Sequence, residues 1–113
     1  MLLKQPELRV IGEASDGLVA VQKAQELQPD LILLDVGLPK LSGIEAARRI
    51  RELSPASKIL FVTQYRCREI AEEALCTGAS GYIVKSHAGG DLLRAVNTVL
   101  QGQQFVSAGL GDH

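Results

Sequence analysis

Along this chain, short runs of aliphatic and β-branched residues alternate with longer segments whose apolar positions recur at helical spacing. That alternation restricts the fold more than any other feature. Arg9 to Ala14 reads as a strand, and Asp16-Gly17 then opens a helix over about Leu18 to Gln28 that Pro29 stops. Leu31 to Asp35 is a second strand, apolar without a break until its last residue, as expected of a strand covered on both faces. Ser42 and Glu45 stand at capping-box spacing and start a helix that runs to about Ser54, where Pro55 ends it. Lys58 to Val62 is the third strand. The helix after it, about Arg68 to Thr77, puts Ile70, Ala71, Ala74 and Leu75 on one face and stops at Gly78. Gly81 to Val84 is the fourth strand, and a last helix over about Asp91 to Gln101 turns Leu92, Val96, Val99 and Leu100 inward before Gly102. Four strand-helix units with short connections predict a parallel sheet with helices on both faces, an α/β fold.

A chain of 113 residues suits one domain and buries enough surface for a core without metal or disulfide staples. The expected boundaries are a domain over 1–106 and a Gly-rich C-terminal tail over 107–113. Twelve Lys and Arg against thirteen Asp and Glu leave a formal charge of -1 with no block of one sign, which argues against a broad electrostatic grip on nucleic acid. No apolar run exceeds four residues, far below the ~20 that span a bilayer, and the N-terminus lacks a signal-peptide core, so the cytoplasm is the expected compartment. Cys67 and Cys76, nine positions apart, point to opposite faces if they share a helix and are expected to be free thiols.

Ligands of open parallel sheets bind beyond the carboxyl ends of the strands. There the pattern places Asp35, Thr63 and Lys85, each closing an apolar run, so three successive strands deliver a carboxylate, a hydroxyl and an ammonium to one edge. A carboxylate so placed can attack a phosphoryl group to give an acyl phosphate. Lys85 would offset charge on the phosphoryl oxygens, and Thr63 would donate to one of them. The Gly37 carbonyl stands near enough in sequence to serve a hard cation such as Mg²⁺ beside Asp35.

The runs Pro29 to Asp35, Gly37-Leu38-Pro39, Ser42 to Glu45 and Gly78 to Lys85 together closely resemble the receiver domain of bacterial response regulators, over about Arg9 to Gln104. Gly12 to Gly17 and the Gly-Ala-Ser-Gly-Tyr run are similar to receivers that precede a helix-turn-helix output domain. The resemblance implies a flavodoxin-like, doubly wound parallel sheet. It also implies that Asp35 is the phosphoacceptor for a sensor histidine kinase, Lys85 the phosphate-pairing lysine, Thr63 the switch hydroxyl and Tyr82 the switch aromatic. Mg²⁺ would bind at Asp35 and the Gly37 carbonyl. Such a domain promotes its own aspartyl phosphorylation and dephosphorylation and is no enzyme otherwise. Phosphorylation would change its partner preference in a phosphorelay, and self-association is expected.

The sequence departs from that family at its start. Met1 to Leu8 reads as the tail of a first helix, so the first of the family's five strands, with its metal-binding acidic pair, is expected to be missing. The family order puts that strand between Arg9 to Ala14 and Leu31 to Asp35. Direct closure of the gap, a strand-swapped dimer or a longer natural protein would each answer the loss, and Mg²⁺ would be held weakly or not at all. Glu13 and Asp16 do not replace the pair, since Asp16 before Gly17 reads as a helix N-cap. Ser86 rather than proline follows Lys85, His87 reads as a solvated loop residue, and Tyr65 lies where the resemblance implies tuning of phosphate lifetime. The alternative to a phosphoacceptor is a phosphorylation-independent interaction module of the same shape. A flavin-binding fold is disfavoured, because no phosphate-cradling loop precedes the first helix.

Overall fold

The computed structural model describes residues 2–4, 9–12 and 14–107, with side chains described from residue 14 onward except at 87 and 88. Its strands are β1 (Leu2–Lys4), β2 (Arg9–Gly12), β3 (Leu31–Leu34), β4 (Lys58–Thr63), β5 (Gly81–Val84) and β6 (Phe105–Val106), and its helices are α1 (Gly17–Leu27), α2 (Gly43–Leu53), α3 (Arg68–Leu75) and α4 (Ala88–Leu100). One sheet holds the strands in the order β2-β1-β3-β4-β5-β6. β3 to β6 pair in parallel, with Leu31 opposite Lys58, Leu60 opposite Gly81 and Gly81 opposite Phe105.

The sheet's first strands correct the reading of the N-terminus. Leu2–Lys4 is a strand and not the tail of a helix, and it fills the place between β2 and β3 by running antiparallel to both. Two facing strand edges with nothing between them would leave backbone N–H and C=O groups unpaired, so even a short apolar segment is drawn into the ladder. The expected gap is thus filled from within the chain. β6 is a second addition, since the chain after Gly102 returns to pair with β5. α4 also starts earlier than Asp91, because Lys85–His87 forms a single 3₁₀ turn that runs on into it.

Side-chain alternation along the inner strands separates two layers. Ile32, Leu34, Ile59, Phe61, Tyr82 and Val84 face α1, α2 and α3, whose contact residues are mostly alanine: Ala20, Ala24, Ala46, Ala47, Ala71 and Ala74. Small side chains let those three helices lie close to the sheet and to each other. Leu31, Leu60 and Ile83 face the opposite way, toward Ala95, Val96 and Val99 of α4 alone. Of the helices among the described residues, three therefore cover one face and one covers the other. Among the described residues no helix is long and apolar enough to cross a membrane.

The helix ends follow the signals in the sequence. Asp16 caps α1 by accepting from the Val19 N–H at 2.9 Å, and Ser42 caps α2 by accepting from the Glu45 N–H at 3.3 Å. α1 closes on Gln28 at φ 46°, whose side chain donates to the Leu53 carbonyl at 3.1 Å and so ties the ends of α1 and α2 together. Cys67 and Cys76 are free, the first partly buried and the second exposed.

Candidate functional site

β4 and β5 end level with each other at Thr63 and Val84, β3 ends two residues earlier, level with Phe61 and Tyr82, and the side chains at these three strand ends come together. Asp35 is the first residue after β3, Thr63 the last of β4 and Lys85 the first after β5. The Lys85 Nζ lies 2.7 Å from Asp35 Oδ2. Asp35 Oδ1 accepts the Gly37 N–H at 2.9 Å, and Thr63 lies at the same edge with its hydroxyl accepting the Tyr65 N–H at 3.4 Å. The carboxylate is 29% exposed, so a reactant can reach it.

Burial pushes the Asp35 carboxyl up, but hydrogen bonds from Lys85, Gly37 and Thr63, together with the Lys85 charge, more than reverse this and hold it below the usual carboxylate value. At neutral pH it is an ionised, oriented carboxylate.

The loop after β3 is clamped from below. The Gly43 N–H donates to the Val36 carbonyl at 2.9 Å, and a Cβ on Gly43 would fall on the Asp35 carbonyl oxygen. Only glycine lets α2 begin that close to the strand end. Above, the Tyr65 ring covers Gly37, where a Cβ would meet its Cε2 at 3.2 Å and its hydroxyl at 3.3 Å. Tyr65 also links the two other polar residues of this edge. Its N–H donates to Thr63 Oγ1 at 3.4 Å, and its carbonyl accepts the Tyr82 hydroxyl at 2.8 Å. Tyr82 is fully buried with its ring 6.3 Å from that of Phe61. Burial, with the nearby charges of Cys67, Asp35 and Tyr65, pushes its phenol up to about 12.

Two hollows meet at Asp35. One, of about 150 Å³, is lined on the α1 side by Ala14, Ala20, Ile32, Leu34 and Leu38. The other, of about 380 Å³, lies toward α4 between Leu33, Val62, Lys85 and Leu92.

The residues described here do not fit Mg²⁺. Asp35 is the sole carboxylate of the cluster, its two oxygens already accept from Gly37 and Lys85, and among the described residues no three Asp, Glu, His or Cys side chains converge. Asp16 is committed to capping α1 and lies 3.8 Å from Lys40 Nζ. Glu13 and the side chain of His87 lie outside the described residues. The sequence pattern missed Ser107, which it assigned to a tail. Ser107 is buried and bonded to β5. The apolar pair Phe105-Val106 just before it is the only sequence signal that the chain goes on packing there.

The family model for the response regulator receiver domain matches residues 1–97. The chain is 37% identical over 102 residues to the transcriptional regulatory protein LnrK of Bacillus subtilis (strain 168), a match covering 90% of this chain and 46% of that protein. It is 36% identical over 105 residues to the nitrate/nitrite response regulator protein NarL of Escherichia coli (strain K12), covering 93% of this chain and 49% of that one. The chain thus spans about half the length of the curated relatives it matches. Among solved structures, it resembles a LuxR-family two-component response regulator from Aurantimonas sp. SI85-9A1 with a TM-score of 0.86 and 36% identity, covering 92% of this chain and 74% of the other.

Proposed function

This chain belongs to the response regulator receiver domain family of two-component signalling and has its flavodoxin-like α/β fold, and from that membership we propose that Asp35 is its phosphoacceptor. The observation that carries the reading is the 2.7 Å contact between Lys85 Nζ and Asp35 Oδ2, beside the Gly37 N–H on the other oxygen. An ammonium and a backbone donor aimed at one ionised carboxylate are suited to receive the negative oxygens of an incoming phosphoryl group.

The proposed donor is a phosphohistidine of a sensor kinase. An Asp35 oxygen attacks the phosphorus as the P–N bond breaks. An acyl phosphate forms, and the imidazole leaves with the electron pair and takes up a proton. Lys85 follows the charge onto the phosphoryl oxygens. The Thr63 hydroxyl, which accepts from Tyr65 N at 3.4 Å, turns to donate to one of them. Because Tyr82 is held by the carbonyl of that same Tyr65 at 2.8 Å, the motion reaches the surface around α3 and β5 and biases partner choice there. Self-association is one such partner choice, and gene regulation, as in the name of the Bacillus relative, is the proposed output of the whole protein. The Mg²⁺ expected for the family would need donors beyond the described residues.

Intact-mass measurement after incubation with acetyl phosphate, with and without Mg²⁺, tests the reading. One phosphoryl adduct is expected, and Asp35→Asn is expected to lose it. A folded chain that takes no adduct under either condition overturns the phosphoacceptor and leaves a phosphorylation-independent interaction module.

A further inference from the structure

β5 carries both Tyr82 and the departure point of Lys85, yet its two edges are supported unequally. On the inner side β4 pairs with its whole length, Leu60 to Thr63 against Gly81 to Val84. On the outer side β6 is two residues long and faces only Gly81 and Tyr82. Ser107 completes that edge with one residue. Its N–H donates to the Tyr82 carbonyl at 2.9 Å, and its Oγ accepts the Val84 N–H at 3.2 Å. Ser107 is 4% exposed and Val84 1%, so water competes weakly for either bond.

Val84 lies between two hydroxyl residues at the level of the site. Thr63 is its register partner on β4, and Ser107 lies across its other side. Immediately after Val84 the backbone turns into the 3₁₀ turn Lys85–His87, and the Lys85 side chain crosses to Asp35. The direction in which Lys85 leaves the sheet is therefore set by the peptide whose N–H Ser107 holds. Without that acceptor a buried N–H is orphaned, and the strand end must shift to find another partner.

We propose that Ser107 is a positioning residue for the Asp35–Lys85 pair, holding the Val84 peptide so that the ammonium reaches the carboxylate, and that the chain beyond residue 106 is coupled to the site through it. The predicted effect on phosphorylation rests on Asp35 as phosphoacceptor, whereas the effect on Lys85 does not.

The test compares wild type, Ser107→Ala, Ser107→Thr and Phe105→Leu as full chains. Phe105→Leu trims the same C-terminal segment, where Phe105 packs beneath Arg94, but leaves both Ser107 bonds in place. The first readout is the ¹H–¹⁵N signal of the Lys85 ammonium at low temperature, which persists while the group is held in a hydrogen bond. The second is the initial rate of Asp35 labelling by acetyl phosphate. Ser107→Ala is expected to lose the signal and to slow labelling about fivefold, the scale of one lost buried hydrogen bond. Ser107→Thr, which keeps a hydroxyl, is expected to retain both, and Phe105→Leu to lower the melting temperature while leaving both readouts unchanged. Should Ser107→Ala fail to fold, Ser107→Cys, similar in shape but a weak acceptor, takes its place. A retained Lys85 signal in Ser107→Ala, or equal loss in Phe105→Leu, overturns the proposal. A wild-type chain that takes no label sinks the phosphoacceptor reading, and the Lys85 signal then decides the role of Ser107 by itself.

Discussion

Tyr82 carries a hydroxyl into a fully buried position, and that hydroxyl survives there because the Tyr65 carbonyl accepts it at 2.8 Å. The phenol is pushed from its ordinary value near 10 up to about 12, first by burial and then by the negative charges around it. Folding therefore favours the neutral phenol. The stabilisation is complete below pH ~10, where both states are neutral, and is lost as pH rises toward 12, the folded value. Tyr82→Phe keeps the ring but cannot ionise and cannot donate to Tyr65. Wild type is expected to exceed Tyr82→Phe in urea stability by ~0.5–1.5 kcal/mol at neutral pH, and that advantage is expected to shrink above pH ~10. An unchanged difference up to pH ~11.5 would show that the phenol ionises without cost and that its burial is looser than described. The residue reading was partly legible in the sequence. Asp35, Thr63 and Lys85 each end an apolar run at the carboxyl side of a strand, and that rule alone assembles them. The Tyr65 carbonyl that holds Tyr82 was not legible, because a backbone acceptor leaves no trace in residue type.

At the level of elements, the start of α2 is what fixes the loop after β3. α2 begins with its first residue packed against the backbone it follows, and Gly43 is the point of contact. Gly43→Ala would set a methyl carbon against the Asp35 carbonyl, so either α2 or the strand end must move. Urea denaturation is expected to show a loss of ~1–3 kcal/mol, and acetyl phosphate labelling to slow along with it. Full stability in the variant would mean that the loop yields easily and is no clamp. The longer elements were readable in advance because each had enough residues to show a period, from the capped start of α2 to the Pro-bounded end of α1. β1 and β6 were not, since strands of three and two residues have no period to show. Their presence is decided by open edges elsewhere in the sheet, and a single sequence does not display edges. The same limit hid Ser107, whose neighbours toward the C-terminus read as a Gly-rich tail.

The whole molecule is packed unequally about its sheet. Alanines from α1, α2 and α3 draw one layer in to a hollow of about 150 Å³, whereas on the other side, among the described residues, α4 leaves a cleft of about 380 Å³ between Leu33, Val62 and Leu92. Added volume should therefore be punished on one side only. Ala47→Val, on the three-helix layer, is expected to cost ~1–3 kcal/mol by thermal or urea denaturation, while Val62→Ile, whose extra methylene enters the cleft, is expected to be neutral or stabilising by up to ~0.8 kcal/mol. Equal penalties would mean that the cleft is closed in solution. Leu33, Leu34 and Asp35 border both hollows, so beneath the Asp35 carboxylate a single strand separates one opening from the other. A water molecule approaching Asp35 has two routes, one on each side of the sheet. If Asp35 carries the proposed acyl phosphate, its persistence is a matter of hydration from two directions, and a protein that docks over one hollow would lengthen its lifetime without closing the other.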